Sequence, residues 1–227
     1  MKIILVSTPD KFKSEVGIVV DLLENGLEVF HLRKPKFSKR KTIEYLRKIP
    51  REFHDRIVLH SHFKLAVRYK LKGIHLSKKD RAPGFEAGLK LWWFRVRHRK
   101  LQITTSFHSI LSLLEDDRKY DYVILSPVFN STSKLGFDTS FGEEQLRKTL
   151  MKSPQTVFAL GGVVPEKVDE MRRIGFHGAA ISGIIWEADE NEDKIEAFQN
   201  FKAVVEGRKS VLPKIEIKPV KIDLKRD

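Results

Sequence analysis

Cysteine is absent from all 227 residues, which excludes a disulfide framework, a thiolate nucleophile and any cysteine-ligated zinc or iron–sulfur site. The same absence agrees with a reducing compartment. Glycine (13) and proline (9) are sparse beside 15 phenylalanines, a balance that argues against disorder. No stretch approaches the roughly 18 apolar residues that a membrane-crossing helix needs. The apolar run Ile3-Ile4-Leu5-Val6 meets Pro9, Asp10 and Lys11 almost at once, too soon for the core of an export signal. The expectation is a soluble, cytoplasmic globular protein.

What is abundant is positive charge: 43 Lys and Arg against 30 Asp and Glu, a formal +13. Nucleic acid, an anionic membrane and phosphorylated metabolites are the anions such a charge would attract. Residues 208–227 hold seven basic and three acidic groups, +4 net, so the preceding body carries +9. Basic residues also cluster from Arg33-Lys34-Pro35-Lys36 to Lys41, and at Arg95, Arg97, Arg99 and Lys100. Solvated lysine-rich faces account for much of this with no partner. No nucleic-acid motif and no aromatic residues interleaved on a basic strand are found, so specific nucleic-acid binding is not expected.

Strand-like and helix-like runs alternate along the chain. Strands are expected over 3–8, 28–33, 56–61, 73–77, 102–108, 122–128, 156–162 and 178–184. Helices are expected over 16–25, 38–49, 63–70, 84–98, 109–117, 142–152, 166–174 and 192–206. Gly26, Pro50 and Gly175 stop helices, Ser38 is placed to cap one, and Pro165 opens another. Trp92, Trp93 and Phe94 should be at least partly buried. Several strands, such as Val157-Phe158-Ala159-Leu160, are apolar on consecutive positions, the pattern of a parallel sheet covered on both faces. Eight strand–helix units in this length suit a (β/α)8 TIM barrel over residues 1–207. A doubly wound sheet competes, but no Gly-x-Gly-x-x-Gly fingerprint follows the first strand. Residues 208–227 form a short basic C-terminal extension outside that scheme.

In such a barrel the active site lies at the C-terminal ends of the strands. His31, Arg33, His60, His62, His75, Asp80, Ser106, His108, Gly161, Gly162 and Ser182 all fall there. The pair Gly161-Gly162 exposes backbone N–H groups with no Cβ in the way, Ser182 adds a hydroxyl, and barrels commonly hold phosphate after strands seven and eight. A tight turn is the plain alternative for the glycines. Ser131, Ser133 and Lys134 lie within four residues of loop and form a second candidate anion grip, with Arg33 supplying a guanidinium fork at the rim. Imidazoles at strand ends suit proton transfer near neutrality, although His75 reads first as a packed strand residue. The spacing His60-x-His62 places two imidazoles on one strand face, as in metal-binding pairs, without an acidic ligand cluster beside it.

Four motifs, in order and each at a strand end, resemble the thiamine phosphate synthase and thiazole tautomerase superfamily of (β/α)8 proteins. They are Gly73-Ile74-His75-Leu76, Ser126-Pro127-Val128-Phe129 with Ser131-x-Ser133-Lys134, Ala159-Leu160-Gly161-Gly162-Val163 and Gly178-Ala179-Ala180-Ile181-Ser182-Gly183-Ile184. The resemblance spans residues 1–205. It implies a thiazole phosphate site at Gly161, Gly162, Ile181 and Ser182, and a diphosphate or carboxylate grip at Arg33, Ser106, Ser131, Ser133 and Lys134. It implies magnesium at Asp80 in a synthase, which joins hydroxymethylpyrimidine diphosphate to a thiazole phosphate and releases diphosphate. The tautomerase branch shifts a proton within a carboxythiazole phosphate and implies His108 as proton carrier, with no metal.

Two departures separate this chain from the synthase pattern. Gln-x-Arg-x-Lys appears as His31-Leu32-Arg33-Lys34-Pro35, and the Asn-Asp pair at the end of strand three appears as His60-Ser61, without the second magnesium carboxylate. Lys34, Lys36 and Arg81 are the basic residues available to compensate. The missing carboxylate favours a tautomerase-like proton shift, with a magnesium-dependent synthase as the alternative and a non-catalytic precursor-binding barrel as a third reading. The expected partners are a phosphorylated thiazole and a pyrimidine diphosphate, not a membrane. A homodimer is open.

Overall fold

The computed structural model of the chain describes residues 1–9, 14–81, 94–129, 141–188 and 191–209. Eight short runs, rich in aliphatic and aromatic residues except the Thr/Ser-containing fifth, form parallel strands: β1 (Lys2–Val6), β2 (Val29–Leu32), β3 (Ile57–Leu59), β4 (Gly73–Leu76), β5 (Gln102–Phe107), β6 (Tyr122–Leu125), β7 (Val157–Leu160) and β8 (Gly178–Ile181). They pair in chain order, and β8 pairs with β1 to close the barrel. Closure removes both sheet edges and covers both faces, which is why these strands are apolar on neighbouring positions. Alternate residues divide between two cores. Ile4, Val6, Val29, Val58, Tyr122, Ile124, Phe158 and Ala180 fill the barrel interior. Leu5, Phe30, Leu59, Val123, Ala159 and Ile181 pack outward with the helices.

Local chemistry sets the helix ends. Ser38 and Ser109 accept hydrogen bonds from Lys41 N and Ser112 N at the starts of Lys39–Arg47 and Ile110–Glu115. Gly175, at φ +100, closes Val168–Ile174 in the left-handed conformation that glycine adopts without a Cβ penalty. Inside the barrel, Gly178 makes room for a ring: a Cβ there would stand 2.1 Å from Phe158 Cε1.

The eight-unit barrel is as expected, with differences at boundaries. The strands end one to three residues short of the expected limits, because the polar rim residues turn away once the ladder stops. Over 178–184 the apolar run is two elements: β8, then a short helix Gly183–Trp186 whose Ile184 and Ile185 are buried. Periodicity does not distinguish a buried strand from a buried helical turn. A 3-10 segment, Arg51–Arg56, precedes β3 unforeseen, and the helix expected over 63–70 is Lys64–Arg68. Residues 94–97 are helical, while the rest of the helix expected over 84–98, with Trp92 and Trp93, lies outside the described residues. Most of the basic extension, residues 210–227, also lies outside them.

Candidate active site at the barrel mouth

The ladder register fixes what faces the mouth. His31 pairs with Val58, an interior residue, so β2 points His31 and, two positions on, Arg33 inward. Leu59 pairs with Ile74, so the next step sets His60 beside His75. His75 pairs with Thr104, which places Ser106 and then His108 on the same inward side. Leu160 pairs with Ala180, and the step of two that follows sets Gly162 beside Ser182.

Three imidazoles meet above the apolar floor. His31 Nδ1 lies 3.0 Å from His60 Nε2, and His31 Nε2 lies 2.6 Å from the Tyr122 hydroxyl. His60 and His75 stack with centroids 4.1 Å apart at 17°. His75 Nδ1 and Nε2 pair with Thr104 Oγ1 at 2.8 Å and Ser106 Oγ at 2.9 Å. Burial holds the pKa of His31 well below the usual histidine value, and His75 lowers it further. Burial acts first on His60 too, followed by the charges of His75, His31 and Arg33. His75 is pushed down to about 3 by burial, then by Arg33, Arg81 and His108. At neutral pH all three rings are neutral and carry an available nitrogen lone pair. Burial also raises the Tyr122 phenol, which stays protonated.

His108 sits exposed at the rim with Nδ1 2.8 Å from the Ser126 carbonyl. A carbonyl only accepts, so Nδ1 carries the proton and Nε2 of the neutral ring is left as a base. Across the mouth, Gly161 and Gly162 both have positive φ, +95 and +62. Gly161 is doubly constrained, since a Cβ would also stand 2.9 Å from Pro127 Cα. The half-buried Ser182 caps no amide of the helix it precedes. Ile181 is 1% exposed and packs with the helices, so its side chain faces away from the mouth and only its backbone is at the rim. Ser131, Ser133 and Lys134 lie outside the described residues.

The basic residues sort by strand face. Arg33 is exposed and inward, and its backbone is clamped to the Ser7 hydroxyl by bonds of 2.8 and 3.0 Å. Lys34, one position on, points outward into an ion pair with Glu15 at 2.5 Å, with the two side chains 2% and 1% exposed. Its ammonium is therefore held away from the mouth. Arg81 is held by Asp116 at 3.2 Å and the Ser106 carbonyl at 3.0 Å. Asp80 is exposed and its Oδ2 accepts from Ser77 N at 2.8 Å and Ser77 Oγ at 2.6 Å.

His62 does not join His60. Its φ of +54 turns it off the strand face, and its Nε2 pairs with the Phe37 carbonyl at 3.0 Å. The sequence pair is thus replaced by His31, His60 and His75, the one group of three His, Cys, Asp or Glu side chains among the described residues that could hold a metal. Sequence reading set His31 at a strand end without giving it a role, and it missed Tyr122 as a site residue. The available signal was the period of two from Arg33 back to His31.

A sequence model described as thiamine monophosphate synthase matches residues 3–185. The chain belongs to this family. It is 27% identical over 199 residues to the thiamine-phosphate synthase of Caldicellulosiruptor bescii, covering 84% of this chain and 87% of that one. It is 24% identical over 191 residues to the Archaeoglobus fulgidus thiamine-phosphate synthase, covering 80% and 85%. Among solved structures, thiamine phosphate pyrophosphorylase from Bacteroides thetaiotaomicron superposes with a TM-score of 0.72 at 29% identity, covering 91% of this chain and 98% of that one. This is a thiamine-biosynthesis protein of the synthase family. These relatives carry the synthase name, so they favour the alternative in the sequence reading over the tautomerase branch.

Proposed function

We propose that the chain is a transferase of the thiamine phosphate synthase type. The methylene–oxygen bond of hydroxymethylpyrimidine diphosphate breaks, the thiazole nitrogen of a thiazole phosphate takes the methylene carbon, and diphosphate leaves. The observation that carries this reading is the family match across nearly the whole barrel, residues 3–185. In this reading Gly161, Gly162 and Ser182, with the Ile181 backbone, hold the thiazole phosphate. Arg33 and Ser106, together with Ser131, Ser133 and Lys134 from outside the described residues, take the diphosphate. With His60 and His75 neutral, Arg33 is a guanidinium beside both rings at the inner mouth.

Magnesium takes oxygen ligands and is commonly held by one or two carboxylates plus substrate phosphates. Asp80 offers one exposed carboxylate at the end of β4, and half-buried Ser61 offers a hydroxyl where the family pattern has a second. The residues fit a one-carboxylate site completed by the substrate's diphosphate. Bound there, the ion would neutralise the leaving group.

A tautomerase reading keeps one specific support: an imidazole, His108, stands at the rim with Nδ1 held by the Ser126 carbonyl, while Ser61 supplies no metal carboxylate. Two assays on purified protein separate the readings. Formation of thiamine phosphate from both substrates with magnesium is expected, and isomerisation of carboxythiazole phosphate without metal is not. Isomerisation alone, lowered about 10²-fold in His108→Ala, would transfer the assignment to the tautomerase branch. Ligand binding with neither turnover would mark a non-catalytic barrel.

A further inference from the structure

We propose that His31, His60 and His75 form a binding site for a divalent transition metal of the zinc class, at the base of the barrel mouth. The site is built by three successive strands: β2 carries His31, β4 carries His75, and His60 follows β3 directly. Parallel register turns all three inward, and one ring nitrogen from each lies within 4.8 Å of the others. Around tetrahedral zinc, with Zn–N near 2.0–2.1 Å, ligand nitrogens stand about 3.3 Å apart. The His31–His60 pair is already at 3.0 Å, and the widest gap needs to close by at most about 1.5 Å, within reach of imidazole rotation.

The surroundings suit such an ion. Metal-bound imidazoles usually have their second nitrogen held by a hydrogen-bonding partner. His31 Nε2 already faces the Tyr122 hydroxyl, leaving Nδ1 toward His60. Whichever nitrogen of His75 turns to the ion, the other keeps Thr104 or Ser106. Three imidazole nitrogens select zinc, nickel, cobalt or copper over magnesium, which takes oxygen. Three protein ligands leave a fourth position for water or a substrate oxygen. A purely packed histidine cluster is the competing account, and it predicts no stoichiometric metal.

Chelator-treated protein is titrated with Zn2+, Co2+ and Mg2+ by calorimetry, and the visible absorption of the Co2+ form is recorded. The expected result is one Zn2+ or Co2+ per chain, a Co2+ spectrum of four-coordinate intensity, and Mg2+ at least 100-fold weaker. His31→Gln and His60→Asn should each weaken Zn2+ by about 100-fold or more, beyond the 10–100-fold typical of outer-shell changes. His62→Ala should stay within about twofold. Circular dichroism of each variant checks folding, and the Co2+ spectrum of the unaltered protein tests the site where a variant fails to fold. Absence of stoichiometric binding, equal affinity for Mg2+, or loss on His62→Ala with retention in His31→Gln would overturn the proposal. Synthase turnover does not enter the readout, so this result and that of the coupling assay are independent.

Discussion

Lys34 lies beside a family motif position yet is structural, and one substitution tests this. Lys34→Met removes one member of an ion pair whose side chains are 2% and 1% exposed, leaving the Glu15 carboxylate buried beside an apolar chain. Breaking a buried pair from one side costs about 3–5 kcal/mol, whereas replacing both partners with apolar groups is often neutral or stabilising. Urea denaturation followed by circular dichroism should therefore show Lys34→Met less stable by about 3–5 kcal/mol. The double variant Glu15→Leu/Lys34→Met should recover to within about 1 kcal/mol of the parent. The deficit should also depend on pH. Burial raises the pKa of Glu15 above its usual 4.5, against the pull of Lys34 and Thr8. A raised folded-state pKa means that stability is fullest below the unfolded value and falls as pH rises through the folded one. Without Lys34 that rise is larger, so the Lys34→Met deficit should shrink on acidification from pH 7 toward 4.5. A deficit below about 1 kcal/mol, with KM for the diphosphate substrate raised at least tenfold, would refute the structural reading and make Lys34 a ligand.

Gly178→Ala should lower stability by about 1–3 kcal/mol through overpacking, since its Cβ would meet Phe158 Cε1 at 2.1 Å and Lys2 O at 2.6 Å. Thermal unfolding measures it, and Phe158→Leu in the same chain should restore part of the loss. Gly161→Ala combines a φ of +95 with contact to Pro127 Cα at 2.9 Å, so about 1–3 kcal/mol of strain is expected together with a raised KM for thiazole phosphate. An unchanged KM would remove Gly161 from the phosphate site. Arg33→Lys keeps the charge but loses the planar fork, and should weaken diphosphate binding by about tenfold in a product-inhibition assay.

The eight units, and hence the barrel, were legible because both faces of a closed parallel sheet are covered, which writes consecutive apolar residues at short intervals. Gly161-Gly162 and Ser182 could also be placed at strand ends from residue order alone. The mouth itself was not legible in the same way. His31, His60 and His75 are 29 and 15 positions apart, and only the ladder register between β2, β3 and β4 turns their rings onto one another. The same register sends Arg33 inward and its neighbour Lys34 out to Glu15, although the two are chemically alike in the sequence. Composition and order determined the scaffold, because burial is a property of runs. Only the tertiary structure decided which polar side chains meet, because that depends on pairings between strands far apart in the chain.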